Sequence, residues 1–441
     1  MPGLDFQREE RLFGHYGPVS KELLNDLEWR GLIAQTTDRA SLASDLEKGG
    51  ITFYVGFDPT APSLHVGNLV IILLMKRFQL AGHNPIALVG GATGLVGDPS
   101  GRNEERALND ESVVENWVIK IKKQLESFLD FEGKSKAIMA NNLDWTAPYS
   151  ALAFLRDIGK HFSVNQMLAK DSVSARLEAG GISYTEFSYQ VLQALDFLEL
   201  YRKYNCRLQL GGSDQWGNIV AGLDLIRKIE GGNGHAFTSP LMAKADGSKF
   251  GKTASGAVWL DPEMTSPYAF FQFWINSDDA DIERFLKTFS FKSRSEIELL
   301  ISKHNENPGK REAHRELARE LTALVHGSDV AKDVEAASLA LFGQGELQEI
   351  KEDVLASALS QLPMVELQKS ETIPTWVELA SASGVVKSKS DARRIIKEGG
   401  AYLNNQKVIS EDFAPSREDL IYGRFLVLRK GKRDLAAVEI H

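Results

Sequence analysis

Residues 51–94 constrain the fold more than any other stretch. ITFYVGF (51–57) is a β-branched and aromatic run, and NPIALVGGATG (84–94) is a second apolar run closing in glycines. Between them, Leu69 to Leu80 has helical character and stops at Ala81-Gly82. Strand, helix and strand within about 40 residues predict a βαβ unit, in which the two strands lie parallel. Further on, CRLQLGGSDQWGN (206–218) predicts a third strand ending in glycines, followed by a helix from about 217 to 229. Glycine-rich turns placed directly after parallel strands are where open α/β sheets take ligands, at the carboxyl ends of the strands. The expected fold class is α/β, with a Rossmann-like parallel sheet.

Composition narrows the chemistry. The 441 residues are enough for two to four domains, and 43% apolar with 25% charged is ordinary for a globular chain. Cys206 is the one cysteine, so neither an intramolecular disulfide nor a Cys-rich zinc site is available. The nine histidines show no HxxxH or HExxH spacing, so no protein-held catalytic metal is expected. The early apolar run Leu69–Met75 is cut off at Lys76-Arg77, too short to cross a bilayer, and MPGLDFQREERL is charged throughout. These features predict a cytoplasmic protein without a membrane segment. The net charge of −9 argues against a chain whose whole surface binds nucleic acid, yet it leaves room for a local basic patch.

The expected organisation is a catalytic domain over residues 1–262, with a helical, charged extension at 1–45. A helical domain at 263–345 and a linker at 346–373 follow, and a small domain at 374–441 closes the chain. Between Lys387 and Arg433 twelve Lys/Arg face six Asp/Glu, a net of +6 in an otherwise acidic chain.

Four constellations carry chemistry. In YVGFDPTAPSLHVGNL (54–69) a strand delivers Tyr54 and Asp58 to the sheet edge, Pro59 and Pro62 stiffen the turn, and Ser63 is placed to cap the next helix. His65 and Gly67 then fall in the first helical turn, where unpaired N–H groups favour anions. GGATGLVGDPSGR (90–102) lacks both P-loop and GxGxxG spacing, but its Asp98 in a backbone-lined turn suits a substrate ammonium. In FSYQVLQALDFLELY (187–201), Tyr189, Gln193 and Asp196 stand at i, i+4 and i+7, one polar stripe on a mostly apolar helix. Such a stripe meets either solvent or a polar ligand. ADGSKFGKTASG (245–256) sets Lys249 and Lys252 in a Gly/Ser-rich loop, suited to gripping polyphosphate, although a lone K-x-x-K is common on surfaces.

Taken together these segments resemble one family. HVGN is similar to the HIGH signature of class I aminoacyl-tRNA synthetases, and KFGKT to their KMSKS loop. With GGSDQWGN (211–218) before the lysine segment, these five, in chain order, resemble the bacterial tyrosyl enzymes of that class from about residue 25 to the C-terminus, and the closing domain resembles their S4-type RNA-binding module. The resemblance implies that Tyr54 and Asp196 hold the phenol hydroxyl of L-tyrosine. It implies that Tyr189, Gln193 and Asp98 hold the amino group, with Gln215 near the reacting carboxylate. Thr60 and His65 match residues on the ATP phosphates, with Asn68 completing the signature. Asp58, Gly67, Gly212 and Asp214 fall on the ATP side, Gly67 against adenine and the last two at the ribose. Lys249, Lys252 and Thr253 match the loop that grips pyrophosphate.

The implied activity is ligation of tyrosine to tRNA(Tyr). Tyrosine and ATP give tyrosyl-adenylate, Mg2+ accompanies the ATP without an assigned protein ligand, and the tyrosyl group passes to the tRNA. The implied assembly is a homodimer. Three positions depart from the family pattern: Asn68 replaces a second His, Val55 a frequent Cys, and Arg102 a Lys. Two rivals stand beside this reading: a tryptophanyl enzyme of the same fold, which has no use for a Tyr–Asp pair reading a phenol, and an RNA-binding protein on an inactive synthetase fold.

Overall fold

The computed structural model describes residues 20–100, 109–168, 173, 177, 181–247, 250–253, 256–369 and 372–441. Arg102 and Lys249 lie outside the described residues, as does the extension before residue 20. The chain divides into two compact units, one running to Asp261 and including Ser277–Ala313, the other comprising Pro262–Asn276 and His314–His441.

The first unit is built on a six-stranded sheet of β1 (Gln35–Thr36), β2 (Thr52–Phe57), β3 (Asn84–Val89), β4 (Ile138–Asn141), β5 (Cys206–Gly212) and β6 (His235–Ser239). Its order is β1-β6-β5-β2-β3-β4. Strands β2 to β6 run parallel, and the two-residue β1 closes one edge antiparallel to β6. In β3 every residue after Asn84 is buried. Helices cover both faces of such a sheet, so its strands read as continuous apolar runs and not as alternations. β2 is central, with Tyr54 opposite Ile86 on one side and Gln209 on the other. The chain proceeds from β2 outward to β3 and β4, while β5 and β6 lie on the opposite side. That reversal opens a crevice beyond the carboxyl ends of β2 and β5.

The helix Val66–Leu80 follows β2 and ends in a Schellman motif. Gly82, at φ 92°, donates its N–H to Gln79 O at 2.9 Å, and His83 donates its N–H to Phe78 O at 3.1 Å. The imidazole of His83 then packs on the Phe78 ring, centroids 5.9 Å apart. The helix Tyr184–Tyr204 starts at Ser183, whose hydroxyl accepts from Glu186 N–H, and stops at the left-handed Asn205. It packs against the helix Trp216–Glu230. Leu195, Phe197, Leu198 and Ile219 join Tyr54 and Ile86 in one apolar cluster.

Two short strands of the first unit, β7 (Lys252–Thr253) and β8 (Gly256–Ala257), pair antiparallel. The second unit holds β9 (Met364–Leu367), β10 (Ala401–Leu403), β11 (Gln406–Lys407), β12 (Phe425–Lys430) and β13 (Asp434–Ile440), in the order β11-β10-β12-β13-β9. Trp376 and Ile395, from two short helices, pack on Leu426 and Val438 of this sheet. The segment 346–373, read as a linker, supplies the helix Glu352–Leu359 and strand β9, which pairs parallel to β13. A four-residue strand between turns is too short to display a period, which is why the sequence looked patternless there. The regular structure from Pro267 to Leu341 is helical among the described residues. No described helix is long and apolar enough to cross a membrane.

His83 generates a test. It is fully buried, neither ring nitrogen has a hydrogen-bond partner, and burial lowers its pKa to about 4. The unfolded chain therefore binds a proton before the folded one does, and stability falls as pH drops from about 6.5 toward 4. From about pH 7.5 to about pH 5 the loss from this one group is about 2 kcal/mol. Urea unfolding at both values should show that loss in the wild type and a smaller one in His83→Phe. Equal losses in the two proteins assign the pH dependence to other groups.

Candidate active site

A cavity of about 550 Å³ opens at the carboxyl ends of β2 and β5. Tyr54 and Asp196 lie at its floor, both buried. Asp196 accepts from Asn142 Nδ2 at 3.0 Å and from Trp145 Nε1 at 2.9 Å. Burial raises the Asp196 pKa to about 7, against the pull of these two donors. Burial, and next the Asp196 charge, push the Tyr54 hydroxyl well above its ordinary range. Tyr54 OH, Gln193 Oε1 and Gln209 Oε1 are all buried without a hydrogen-bond partner, and all three residues line this cavity. Orphaned polar atoms are costly, and three around one cavity mark a place where a polar ligand completes the structure.

The wall is one connected network. Tyr189 OH donates to Asp58 Oδ2 at 2.6 Å, and Thr93 Oγ1 donates to Asp58 Oδ1 at 2.7 Å. Asn142 Nδ2 reaches Thr93 Oγ1 at 2.9 Å and so links this pair to Asp196. Gly90 leaves the room for it, since a Cβ there would lie 2.2 Å from both Asp58 Oδ1 and Thr93 Oγ1. Nearby, Gln215 Nε2 donates to Asp98 Oδ2 at 2.7 Å, and Asn218 Nδ2 donates to Gln215 Oε1 at 3.2 Å. Gly212 and Asp214 border the same cavity. Burial, then the Asp98 charge, raises the Asp214 pKa.

The opposite side is the start of the helix Val66–Leu80. His65, not Ser63, is its N-cap. His65 Nδ1 accepts the Gly67 N–H at 3.0 Å, and Asn68 Oδ1 accepts the His65 N–H at 3.0 Å, a reciprocal capping box. Ser63 is engaged elsewhere: its hydroxyl oxygen accepts from Gln124 Nε2 at 2.8 Å and from Asp261 N–H at 3.2 Å. With Nδ1 an acceptor, the proton of the neutral imidazole sits on Nε2. Gly67 makes this fold-back possible, because a Cβ at that position would come within 2.7 Å of His65 Cε1. Asn68 thus has a local duty that its amide oxygen can perform. Residues 64–66 also pair with 258–260: Val66 N–H donates to Val258 O and Leu260 N–H to Leu64 O, each at 2.9 Å.

The cavity brings together Tyr54, Asp58, Thr60, His65, Gly67, Asn68, Asp98, Tyr189, Gln193, Asp196, Gly212, Asp214 and Gln215. Val55, where the family often has Cys, also lines it. Lys249 is outside the described residues, and Lys252 and Thr253 are described only as strand β7. The sequence reading missed Thr93, Asn142, Trp145 and Gln209. MANNLDWT (139–146) offers a signal, one Asn closing a strand, a second directly after it and a Trp three residues on, but nothing in it points to Asp196 some fifty residues away.

A parallel sheet with a helix start and a polar pocket at its carboxyl ends fits the class I aminoacyl-tRNA synthetases. Residues 46–343 match the family described as tRNA synthetases class I (W and Y), and the chain belongs to it. Within that family it stands with the tyrosine–tRNA ligases. Residues 354–438 match the tyrosine–tRNA ligase SYY-like C-terminal domain. The chain is 59% identical to the tyrosine–tRNA ligase of Streptomyces coelicolor, over 95% of this chain and 99% of that one. It is 56% identical to that of Thermobifida fusca over the same shares. A C-terminally truncated mitochondrial tyrosyl-tRNA synthetase of Aspergillus nidulans superposes with a TM-score of 0.65 at 32% identity, covering 75% of this chain and 95% of that chain.

The floor predicts a titration. In the ligand-free protein the Asp196 carboxyl should titrate near pH 7, and Asn142→Ala and Trp145→Phe should each move that midpoint upward by about one unit, since each deletes a donor to the ionised form. Selective 13C labelling of aspartate carboxyls, with Asp196→Asn to assign the resonance, measures it. A midpoint that neither variant moves would show that these donors do not hold the charge.

Proposed function

We infer that this protein joins tyrosine to tRNA(Tyr) in two steps, through tyrosyl-adenylate. The observation that carries the reading is the buried Tyr54 hydroxyl, without a partner and beside Asp196, at the floor of a pocket large enough for an amino acid and a nucleotide. A phenol hydroxyl supplies what that floor lacks, one acceptor and one donor. A tryptophan side chain offers its single N–H and no acceptor, which disfavours the tryptophanyl alternative. Tyr189, Gln193 and Asp98 surround the place of the substrate ammonium, and Gln215 stands by the carboxylate.

In the first step a tyrosine carboxylate oxygen attacks the α-phosphorus of ATP. A new P–O bond forms while the bond to the pyrophosphate oxygen breaks, and no protein nucleophile is needed. The residues contribute positioning and charge stabilisation. His65, donating from Nε2, and Thr60 address the phosphates, while Lys249, Lys252 and Thr253 take the departing pyrophosphate. In the second step a terminal ribose hydroxyl of the tRNA takes the tyrosyl group and AMP leaves.

Magnesium enters this reading as an ion carried on the ATP phosphates. The cavity offers it no ready cage, since Asp58 accepts from Tyr189 and Thr93, Asp98 from Gln215, and Asp196 from Asn142 and Trp145. No step here passes through it. The +6 stretch between Lys387 and Arg433 supports tRNA binding by an S4-like module at 374–441, with the helices of 263–345 on the anticodon side. The proposed place of work is the cytoplasm, with the tRNA pool.

ATP–pyrophosphate exchange with each of the twenty amino acids tests the reading. Exchange with tyrosine alone supports it, and exchange with none supports an inactive fold. Tyr54→Phe should then lose activity with tyrosine and little with phenylalanine, because phenylalanine makes no hydrogen bond to the hydroxyl that the variant deletes and in the wild type leaves it unpaired, at about 1–3 kcal/mol for a neutral group. An unchanged ratio of kcat/KM values means that Tyr54 does not read the hydroxyl.

A homodimer is proposed from the apolar side chains exposed between residues 152 and 184: Leu152 at 81%, Leu155 at 50%, Val164 at 57% and Tyr184 at 72%. Leu152→Asp combined with Leu155→Asp should shift the sedimenting species from dimer to monomer. A dimer that survives both charges places the interface elsewhere.

A further inference from the structure

The two helices that open at the cavity begin alike. Each starts from a residue read as a substrate contact and carries an Asn three positions on: His65 and Asn68 at Val66–Leu80, Gln215 and Asn218 at Trp216–Glu230. The first pair closes a capping box. The second does not, since the Gln215 side chain caps no backbone N–H. Its contact runs between side chains, with Asn218 Nδ2 donating to Gln215 Oε1 at 3.2 Å. Asn218 is 7% exposed and stands behind Gln215, which alone of the two lines the cavity. The proposed chemistry gives Asn218 no part.

A side-chain amide has a donor end and an acceptor end of nearly the same shape, so its effect depends on which end faces the ligand. At Gln215 both ends are taken. Nε2 donates to Asp98 Oδ2 at 2.7 Å, and Oε1 accepts from Asn218. Asp98 is held in turn, since its Oδ1 accepts the Ser100 N–H at 2.9 Å, and Asn218 Nδ2 also reaches Ser100 Oγ at 3.5 Å. Asn218 thus touches both arms of the arrangement, the Gln215 side chain and the 98–100 turn. Its own place is set by the first turn of its helix, where Gln190 Nε2 donates to Gly217 O at 3.3 Å and ties that turn to the helix Tyr184–Tyr204. Gly211 lets the Gln215 stem lie on β5, because a Cβ there would come within 3.2 Å of Gln215 Cβ.

The two holds on this amide differ once substrate is bound. Asp98 lines the cavity and, on the reading above, accepts the ammonium of the amino acid. A charged donor on Asp98 outcompetes a neutral amide, so the hold on Nε2 loosens as the amino acid arrives. Asn218 carries no charge and stands off the cavity, so its hold on Oε1 persists. Without it the amide is free to turn and set Oε1 against Asp98 and the substrate carboxylate, an acceptor facing acceptors.

We propose that Asn218 is a positioning residue for the first step: its hydrogen bond to Oε1 keeps the nitrogen end of the Gln215 amide toward Asp98 and the substrate carboxylate. The proposal rests on the reading of Asp98 and Gln215 as the residues that meet the ammonium and the carboxylate of tyrosine. Asn218 touches no substrate and moves no proton. It acts through Gln215, so its effect on the reaction should vanish where the Gln215 amide is gone.

The test uses the full chain. Asn218→Ala is expected to lower kcat/KM for tyrosine in pyrophosphate exchange about tenfold, the worth of one such hydrogen bond. Asn218→Asp keeps the shape and replaces the donor by an ionised acceptor, which attracts Nε2 and repels Oε1, so it should lose about a hundredfold. In a Gln215→Ala background Asn218→Ala should cost less than about twofold, because residues that act as a unit are not additive. In protein labelled with 15N-glutamine, the side-chain amide signal of Gln215, assigned by its loss in Gln215→Ala, should shift in Asn218→Ala. Three results overturn the proposal: wild-type exchange in Asn218→Ala and Asn218→Asp, a loss that persists undiminished in the Gln215→Ala background, or an unmoved Gln215 amide signal. Should Asn218→Ala fail to fold, Asn218→Asp carries the same cycle and the same spectrum. A wild-type protein without exchange would refute the functional reading, and the amide signal would still decide whether Asn218 holds Gln215.

Discussion

Burying Asp196 without a cation beside it carries a desolvation cost, and the donors that offset it come from a different part of the chain. Asn142 follows the last residue of β4 and Trp145 lies one turn further on. Asn142 also reaches Thr93, Thr93 reaches Asp58, and Asp58 receives the Tyr189 hydroxyl. One chain of hydrogen bonds thus ties the ends of β2, β3 and β4 to the helix that carries Tyr189 and Asp196. Displacing any of these elements leaves a buried polar atom unpaired, which makes the floor stiff. Stiffness at that point is what lets a site distinguish two rings that differ by a hydroxyl, since a floor able to relax would close over the missing partner.

The helix Val66–Leu80 organises the other half. At its start the His65–Asn68 box orients an imidazole, and at its end the Schellman turn packs His83 on Phe78. In its last turn, Arg77 caps the helix on which Phe250 packs. A single rod therefore links His65 to the helix Ile282–Phe289, on which Phe250 packs. The pairing of residues 64–66 with 258–260 adds a second link at the start of that rod.

Much of this was legible in the sequence because it is written in short-range terms. The βαβ unit follows from runs of six or seven residues and a glycine stop. Tyr189, Gln193 and Asp196 share a face by helical spacing alone. What stayed hidden depends on long-range contact. Asn142 and Asp196 meet across 54 positions of sequence, and Phe250 meets Phe289 across 39. Ser63 was read as the N-cap because its residue type favours caps, but the chain turns two residues later and His65 takes the role through Nδ1. Strand β9 was hidden in a segment read as a linker, since its place is fixed by β13 more than seventy residues on.

The charge of the cavity gives the arrangement its last constraint. Asp58, Asp98, Asp196 and Asp214 all border one space, and on the proposed reading that space receives a polyanionic nucleotide. Four bare carboxylates would repel it. Burial raises the pKa of Asp196 to about 7, so it holds less negative charge near neutral pH than an ordinary carboxylate; burial also raises that of Asp214, while Asp58 and Asp98 are covered by hydroxyl and amide donors. The remaining negative charge suits an ammonium. On that reading the triphosphate is met across the cavity, by the N–H groups at the start of Val66–Leu80 and the His65 Nε2 proton. Amine and phosphates are separated by the field of the pocket, and the carboxylate of the amino acid is left at the boundary between them. That boundary is where it must stand to reach the α-phosphorus.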